Sequence, residues 1–184
     1  MNEREKMING QEYRPYSKEL VSDRAHAKEL CIKYNSLLPK QTEEKQKILK
    51  SLLGNAGNDS VIEADFFCDY GFNIELDGFV YINHNSVFLD CAKIKIGADT
   101  FIGPNCGFYT TIHPLNYEQR IKGIERAKPI TIGKGVWIGG NVTILPGVTI
   151  GDMAVIGAGS VVTKDIPGSV VAVGNPCREI KQID

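Results

Sequence analysis

The sequence lacks the features of membrane-spanning, secreted and nucleic-acid-binding proteins. No run approaches the roughly 20 apolar residues of a membrane span, and the stretch from Met1 to Lys6 is too charged for a secretory signal. The 21 Lys and Arg nearly balance the 22 Asp and Glu, so a formal net charge of -1 provides no overall field for an anionic partner. We therefore expect a cytoplasmic protein with no nucleic-acid or membrane partner.

Disulfide and metal-binding patterns are also missing. The cysteines are odd in number and widely scattered, without a C-x-x-C pair: Cys31, Cys68, Cys91, Cys106 and Cys177. This spacing argues against a disulfide framework and against a structural zinc site. We expect reduced, buried thiols and no metal cofactor.

The first part of the chain has helical character. Apolar residues recur at helical spacing from Leu20 to Tyr34, after Ser17 as a candidate N-cap. A second helix is predicted over 43–53, with Thr42 able to cap its start. These 184 residues, 42% of them apolar, are enough for one globular domain with such an appendage.

A boundary follows the second helix. Gly54 is expected to end that helix in a left-handed conformation, and the stretch to Ser60 consists of turn residues. After this stretch the helical period vanishes. The sequence therefore predicts a helical cap segment at 1–57 and a second domain at 58–184.

The main signal in the second domain is a period of six residues. One series of every sixth residue is aliphatic throughout: Ile132, Ile138, Ile144, Ile150, Ile156 and Val162. A second series two residues earlier is apolar or small: Ile130, Val136, Val142, Val148, Ala154 and Ser160. A six-residue unit suits a short strand and a turn, and stacked units form a solenoid whose axis is filled by these side chains. Ligands must then bind on its outside or between copies of the chain.

Phased glycines and one interruption complete the pattern. Glycine follows the first series at four positions, where we expect it to relieve the corner backbone: Gly133, Gly139, Gly151 and Gly157. The same phase recurs at Ile96 and Ile102, so the repeat spans 61–168. A polar stretch at 110–129 interrupts it and holds His113. We predict an extruded loop there.

Nearly the whole chain resembles the maltose and galactoside O-acetyltransferases, which are hexapeptide-repeat acyltransferases. The motifs that carry the resemblance are Glu5-Lys6-Met7, Tyr13, Arg24, Tyr34-Asn35, Cys68-Asp69-Tyr70-Gly71, Asn83, Asp90, Thr111-Ile112-His113-Pro114, Lys128-Pro129-Ile130, Val136-Trp137-Ile138-Gly139-Gly140, Gly157-Ala158-Gly159-Ser160 and Gly174-Asn175-Pro176. The resemblance implies an all-β solenoid, a left-handed parallel β-helix, after a small helical N-terminal segment. It also implies acetyl-CoA as co-substrate and a homotrimer with active sites between subunits.

The resemblance suggests three catalytic residues. His113 is the candidate general base, because a neutral hydroxyl is a poor nucleophile and an imidazole with a pKa of about 6.5 can take its proton. Asn83 matches an asparagine near the reacting centre, where an amide can hydrogen-bond the substrate or the oxyanion, and Glu125 is expected to orient His113 or a substrate group. A solvated loop histidine and an amide that satisfies a solenoid corner are the structural alternatives.

A sugar acceptor is implied by a second group of residues. Asp69, Asp90 and Arg24 look like sugar-binding positions, since carboxylates and a guanidinium can pair with adjacent hydroxyls. Local turns or surface salt bridges are the alternative roles. Tyr81 either stacks on a sugar face or packs between subunits.

The donor half of the site is implied by a third group. Gly140 and Ala158 would let the pantetheine arm approach backbone groups closely. Thr163, Lys164 and Arg178 suit the phosphates and the adenine end of the cofactor, although solvated side chains remain an alternative. Trp137 either forms part of the surface along the pantetheine arm or packs at the interface between subunits.

The chain departs from the family pattern in the acceptor half. Near Tyr13, where relatives carry an acidic residue, this chain has Pro15-Tyr16-Ser17, and Cys91 follows Asp90 in place of a second aspartate. The predicted activity is acetyl transfer from acetyl-CoA to a sugar hydroxyl in a ternary complex. The alternatives are a different hydroxyl or amino acceptor, such as an antibiotic or an amino sugar, and a non-catalytic solenoid module. A zinc enzyme of the carbonic anhydrase type is disfavoured, because it needs three clustered histidines.

Overall fold

A computed structural model describes residues 1–57 and 59–183. Three helices precede the strands and a fourth lies in a loop: α1 Glu3–Ile8, α2 Lys18–Asn35, α3 Thr42–Leu52 and α4 Tyr117–Arg120. The strands are β1 Val61–Ile62, β2 Phe67–Cys68, β3 Ile74–Leu76, β4 Val80–Ile82, β5 Val87–Leu89, β6 Ile94–Ile96, β7 Thr100–Ile102, β8 Gly107–Tyr109, β9 Thr111–Ile112, β10 Arg126–Ala127, β11 Ile130–Ile132, β12 Trp137–Ile138, β13 Thr143–Ile144, β14 Thr149–Ile150, β15 Val155–Ile156, β16 Val161–Val162, β17 Val170–Val173 and β18 Arg178–Gln182.

Successive strands enter three different sheets in rotation, which makes the molecule a β-solenoid. The sheets have the orders β1-β4-β7-β12-β15-β17-β18, β16-β13-β8-β5-β2 and β14-β11-β6-β3, and their pairs are parallel except β17 with β18. Trp137 pairs with Val155, eighteen positions later, whereas Tyr81 pairs with Phe101, twenty positions later. The predicted solenoid is confirmed, with longer coils near its start.

The two hexad series form its core. Every member of both series is buried, and the six residues of the first series are at most 1% exposed. Each fully buried Ile or Val contributes roughly 1.5–3 kcal/mol relative to exposure. The axis of the solenoid is therefore filled by a packed column of side chains, as the sequence predicts.

The phased glycines have a different role from the expected one. Backbone in the left-handed region lies two positions later, at Gly135, Asn141 and Gly159. Gly139 is required instead because a Cβ there would lie 2.6 Å from the backbone nitrogen of Ala158 in the next coil. Close stacking of the coils, rather than the turn itself, excludes a side chain at Gly139.

The N-terminal helices largely follow the prediction. Ser17 accepts a hydrogen bond from the backbone N–H of Leu20 and caps α2, as expected. Thr42 is the first residue of α3 rather than its cap. Gly54 does not adopt a left-handed conformation, and a Cβ there would overlap the carbonyl oxygen of Phe72. Within the described residues, no helix is long and apolar enough to cross a membrane.

The interruption of the repeat is an extruded hairpin. β9 and β10 pair antiparallel at its base, with Ile112 opposite Arg126, and α4 lies between them. This pairing brings His113, which follows β9, next to Glu125, which precedes β10. An isolated bridge between Tyr13 and Glu125 places the N-terminal segment alongside.

Candidate active site

His113 and Glu125 face each other at the base of the hairpin. The Nδ1 atom of His113 lies 3.8 Å from Oε1 of Glu125. The Glu125 side chain is 14% exposed and the His113 side chain 56%. A largely buried carboxylate therefore stands beside an imidazole that a substrate can reach.

Glu125 is held by Tyr13, a residue to which the sequence assigned no role in the site. The Tyr13 hydroxyl donates to Oε2 of Glu125 at 2.8 Å. Each backbone N–H of this pair also donates to the other residue's carbonyl at 3.0 Å. Residue spacing could not reveal this contact, because 112 positions separate the partners.

A cavity of about 250 Å³ opens in front of this pair. Four of the predicted site residues line it: Arg24, Asp69, His113 and Glu125. The rest of the lining consists of Pro15, Tyr16, Tyr70, Leu89, Cys91 and Thr111. Residues from the N-terminal segment, the first two coils and the hairpin thus meet at one concave, mixed polar and apolar surface.

Arg24 and Asp69 provide the opposite charges of the cavity. Arg24 is fixed by hydrogen bonds to the Tyr70 hydroxyl at 2.5 Å and to the Pro15 carbonyl at 2.6 Å. Burial raises the pKa of Asp69, while the nearby charges of Arg24 and Lys28 oppose that rise. Both side chains remain available to pair with hydroxyl groups of a ligand.

Asp90 does not occupy the predicted sugar-binding position. It is fully buried, and its Oδ1 accepts the backbone N–H groups of Asp69 at 3.0 Å and Tyr70 at 2.8 Å. Burial raises the pKa of Asp90 to about 7. Because both donors belong to the turn that carries Asp69, Asp90 shapes the cavity wall rather than contacting a ligand.

Cys91 lines the cavity in the position where the sequence departs from the family pattern. Thr111 donates to its Sγ at 3.1 Å, and the Sγ lies 3.8 Å from Oδ2 of Asp69. Burial raises the pKa of Cys91 to about 12. The residue is therefore a neutral thiol and contributes no charge to the cavity.

Asn83 and Tyr81 lie outside this cavity. The Asn83 side-chain oxygen accepts the backbone N–H of His84 at 2.8 Å, and the Tyr81 hydroxyl donates to Glu63 at 3.3 Å. Asn83 belongs to what we call the first edge, the turns between the seven-stranded and five-stranded sheets: 83–86, 103–106, 139–142 and 157–160. His113 belongs to the second edge, the turns after the five-stranded sheet: 90–93, 110–129, 145–148 and 163–165.

Four of the six predicted donor residues lie along the two edges. Gly140 and Ala158 are on the first edge with Asn83, and the next residue, Gly159, donates its N–H to the Gly140 carbonyl at 2.9 Å. Thr163 and Lys164 are exposed on the second edge, beyond β16. The structure therefore brings Arg24, Asp69, His113 and Glu125 together within one chain. Asn83 and four of the predicted donor residues are divided between the two edges.

Trp137 and Arg178 lie apart from both edges. Trp137 is 60% exposed on the outer face of the seven-stranded sheet. Arg178 begins β18, where its guanidinium donates to the carbonyl of Cys177 at 2.7 Å. Neither of them reaches the cavity.

The outer face of the seven-stranded sheet carries an apolar row. In register across the strands lie Val61, Tyr81, Phe101, Trp137, Val155 and Val171. Phe101 is 50% exposed, and its ring packs against Phe79 at 6.0 Å and Tyr81 at 6.4 Å. Val61, Phe101 and Trp137 are exposed and the other three residues are partly buried. A continuous apolar surface of this kind is typical of a protein–protein interface.

The other two histidines take no part in the cavity. His26 is exposed on α2, and the Nδ1 atom of His84 lies 3.3 Å from the Ala64 carbonyl. Among the residues that the structure describes, no three His, Cys, Asp or Glu side chains are grouped as ligands for a metal ion. The zinc alternative thus finds no ligand set there.

Two family models match the chain. Residues 6–57 match the maltose acetyltransferase hexapeptide capping motif. Residues 129–164 match the bacterial transferase hexapeptide with six repeats. The first covers the helical segment and the second covers the most regular part of the solenoid.

Three solved structures are similar over the whole chain. A maltose O-acetyltransferase from Clostridium difficile is 46% identical, covers 100% of this chain and 98% of its own, and superposes with a TM-score of 0.98. A hexapeptide-repeat acetyltransferase from Vibrio cholerae, complexed with acetyl coenzyme A, is 38% identical with 100% of both chains covered and a TM-score of 0.93. A galactoside acetyltransferase in complex with coenzyme A is 38% identical, covers 100% and 92% of the two chains, and has a TM-score of 0.91.

Proposed function

The chain belongs to the maltose and galactoside O-acetyltransferase family of hexapeptide-repeat enzymes, and on this premise we propose that it acetylates a hydroxyl of a sugar by general-base catalysis through His113. Membership makes it an acetyl-CoA-dependent O-acetyltransferase with a left-handed β-helix. The observation that carries the sugar proposal is the cavity in which His113, Glu125, Asp69 and Arg24 meet.

In this reaction His113 first accepts a proton from the acceptor hydroxyl and later donates it to the sulfur of the leaving CoA. Glu125 faces Nδ1 of His113, which leaves Nε2 free to accept the proton of the acceptor hydroxyl. The hydroxyl oxygen attacks the thioester carbonyl carbon as its proton passes to Nε2, and a tetrahedral oxyanion forms. When the C–S bond breaks, the imidazolium returns the proton to sulfur and CoA leaves as the thiol.

The acceptor is held by groups of opposite charge. The carboxylate of Asp69 accepts hydrogen bonds from sugar hydroxyls, and the guanidinium of Arg24 donates to sugar oxygens. Tyr16 and Tyr70 add aromatic surface to the same cavity, which suits the apolar face of a pyranose. In this proposal Cys91 leaves one side of the acceptor without a charged partner.

A homotrimer would complete the site. Within one chain Asn83 lies on the first edge and His113 on the second, so a neighbouring copy is needed to bring an Asn83 amide to the oxyanion. The apolar row around Phe101 provides a surface for such a copy to bury. Acetyl-CoA would then lie between subunits, with Gly140 and Ala158 along its pantetheine arm.

The remaining donor residues suit the far end of the cofactor. Thr163 and Lys164 are exposed beside each other and offer a hydroxyl and an ammonium to phosphate oxygens. Arg178 begins β18, where its guanidinium suits a phosphate at the adenine end of the cofactor. Trp137 either forms part of the surface along the pantetheine arm or packs between subunits within the apolar row. All of these donor assignments require a second chain to pack against the first and enclose the cofactor between them.

Thiol release from acetyl-CoA tests the proposed function. The acceptors are glucose, maltose, a galactoside, an amino sugar and a hydroxylated antibiotic, and the enzymes are wild type, His113→Ala and His26→Ala. We expect turnover with a simple sugar, a loss of roughly 10² or more in His113→Ala, and no change in His26→Ala, whose imidazole is exposed on α2. Turnover with the antibiotic or amino sugar alone would replace the sugar proposal, and full activity of His113→Ala would refute the base assignment.

A further inference from the structure

The Tyr13 hydroxyl is bonded to the carboxylate that faces the proposed base. We infer that Tyr13 is a positioning residue, which holds Glu125 against Nδ1 of His113 and so makes the N-terminal segment part of the catalytic machinery. The inference rests on the proposed function for its kinetic consequence. Its structural consequence, the protonation pattern of the His113 ring, can be measured without any acceptor.

The division of the two carboxylate oxygens supports this role. Oε2 of Glu125 accepts the Tyr13 hydroxyl at 2.8 Å, and Oε1 lies 3.8 Å from Nδ1 of His113. Tyr13 supplies the one side-chain hydrogen bond that Glu125 accepts among the described residues. The neighbouring Arg126 pairs with Glu12 instead. Loss of the Tyr13 hydroxyl would therefore leave the carboxylate free to rotate away from the imidazole.

The backbone fixes the two residues relative to each other. The backbone N–H of each residue donates to the carbonyl oxygen of the other, with N···O distances of 3.0 Å. The Tyr13 ring is 1% exposed and lies among Met7, Leu20 and Ala127. Because these contacts do not involve the hydroxyl, Tyr13→Phe removes the hydrogen bond to Glu125 and the interaction of the hydroxyl with the Cys91 thiol, and retains the backbone and ring contacts.

The hydroxyl remains a donor at every working pH. Burial raises the pKa of Tyr13, and the neighbouring Cys91 and Glu125 raise it further. Cys91 is itself a neutral thiol. The proton of Tyr13 is therefore always available to the Glu125 carboxylate.

The consequence for catalysis concerns the tautomer of His113. A carboxylate at Nδ1 favours the Nδ1–H form, in which the Nε2 lone pair is free for the acceptor hydroxyl. The gap of 3.8 Å exceeds a hydrogen bond, so a small displacement of the carboxylate decides whether this contact closes. A misplacement of about 1 Å in such an arrangement costs roughly 10²-fold in rate.

The first experiment measures the tautomer directly in the enzyme without substrates. Protein labelled with 15N at histidine is examined at a pH where imidazoles are neutral, and the His113 signals are assigned by their loss in His113→Asn. We expect Nδ1–H in wild type and a roughly twofold loss of that form in Tyr13→Phe. Glu125→Ala should produce the same change, which gives a second route if Tyr13→Phe folds poorly.

Tyr34→Phe is the matched control. Tyr34 is also a buried tyrosine, 2% exposed, and its hydroxyl donates to the Ile62 carbonyl at 2.5 Å, away from the cavity. This variant should retain the wild-type tautomer. A wild-type tautomer in Tyr13→Phe or Glu125→Ala, or a loss of Nδ1–H as large in Tyr34→Phe, would overturn the inference.

The second experiment separates the inference from the proposed function. In Tyr13→Phe we expect kcat to fall roughly 10 to 10²-fold with little change in either KM, and no further fall when Tyr13→Phe is added to Glu125→Gln. Additive losses in the double variant would overturn the inference while leaving the acetyl transfer intact. An inactive wild type with the expected tautomers would instead refute the proposed acceptor and support the positioning role.

Discussion

The buried carboxylate of Asp90 accepts the backbone N–H of Asp69 at 3.0 Å. One acidic side chain thereby fixes the turn from which another faces the cavity. The second oxygen of Asp90 is buried and has no hydrogen-bond partner among residues 1–57 and 59–183, and burial raises the pKa of the group to about 7. The ionised form of Asp90 therefore lowers the stability of the folded protein. In either protonation state Asp90 holds the turn that shapes the cavity.

Asp90→Asn should change how stability depends on pH. The pKa of Asp90 is about 7 in the folded protein and near 3.8 when exposed, so the stability that its protonated form contributes is complete below about pH 4 and lost as pH rises through 7. Asn keeps the acceptor oxygen but does not ionise. As pH rises from 4 to 8, the free energy of unfolding of the variant should therefore increase by on the order of 1 to 4 kcal/mol relative to that of wild type.

Urea unfolding at several pH values measures this difference. Asp152→Asn is the matched control, since Asp152 is an exposed carboxylate that also accepts a backbone N–H, that of Lys134 at 3.0 Å. Its free energy of unfolding should remain parallel to that of wild type. A parallel curve for Asp90→Asn as well would show that folding does not raise the pKa of Asp90, which contradicts the predicted cost of its burial.

Asp69→Asn should weaken acceptor binding selectively. A hydrogen bond to a charged group is worth roughly 1.5–3 kcal/mol, so we expect the sugar KM to rise about 10 to 10²-fold while the acetyl-CoA KM stays constant. Initial rates with each substrate varied in turn provide the measurement. Asp65→Asn, at an exposed turn of the first coil, should behave as wild type. An equal rise in both KM values would mean that Asp69 supports the fold rather than the sugar.

Thiol reagents should not inactivate the enzyme. Burial raises the pKa of Cys91 to about 12, so at pH 7 its thiolate fraction is roughly 10⁻⁵, and all five cysteines are buried. Iodoacetamide followed by peptide mass spectrometry should show slow labelling of Cys91 and unchanged acetyl transfer, whereas protein unfolded in urea should react at every cysteine. Rapid labelling of Cys91 with parallel loss of activity would contradict the closed, neutral thiol.

The sequence predicts the core of this molecule better than its cavity, for a physical reason. Burial of Ile138 and Ile156 follows from a local period that each coil repeats. Gly139 was also marked by that period, but the requirement for glycine comes from the adjacent coil at Ala158, which a linear pattern does not contain. A local repeat therefore identifies which positions face the core, but it does not reveal which contacts with neighbouring coils require a particular residue there.

The site shows the same division. The resemblance to the family predicts roles for His113 and Glu125, which both lie in the segment that breaks the repeat, and the hairpin brings them together. Tyr13 was not assigned to the site because its contact with Glu125 arises only when the N-terminal segment folds against the hairpin. Asp90 was assigned to the sugar because sequence alone does not tell whether a carboxylate beside a turn faces a cavity or caps the turn's own N–H groups.

Phe101→Asp should dissociate the proposed homotrimer and abolish activity together. Phe101 stands in the middle of the apolar row and is 50% exposed in one chain, so a charge there would be buried in an assembly at a cost of several kcal/mol. Thr131→Asp is the matched control, because Thr131 is also exposed at the centre of a strand, β11, but in the four-stranded sheet beside Lys95. Light scattering after size-exclusion chromatography should give a smaller particle for Phe101→Asp alone, with thiol release reduced roughly 10² or more because Asn83 no longer meets a neighbouring His113. A monomeric but fully active Phe101→Asp would show that one chain contains the entire site, and the division of Asn83 and His113 between two edges would then have no catalytic meaning.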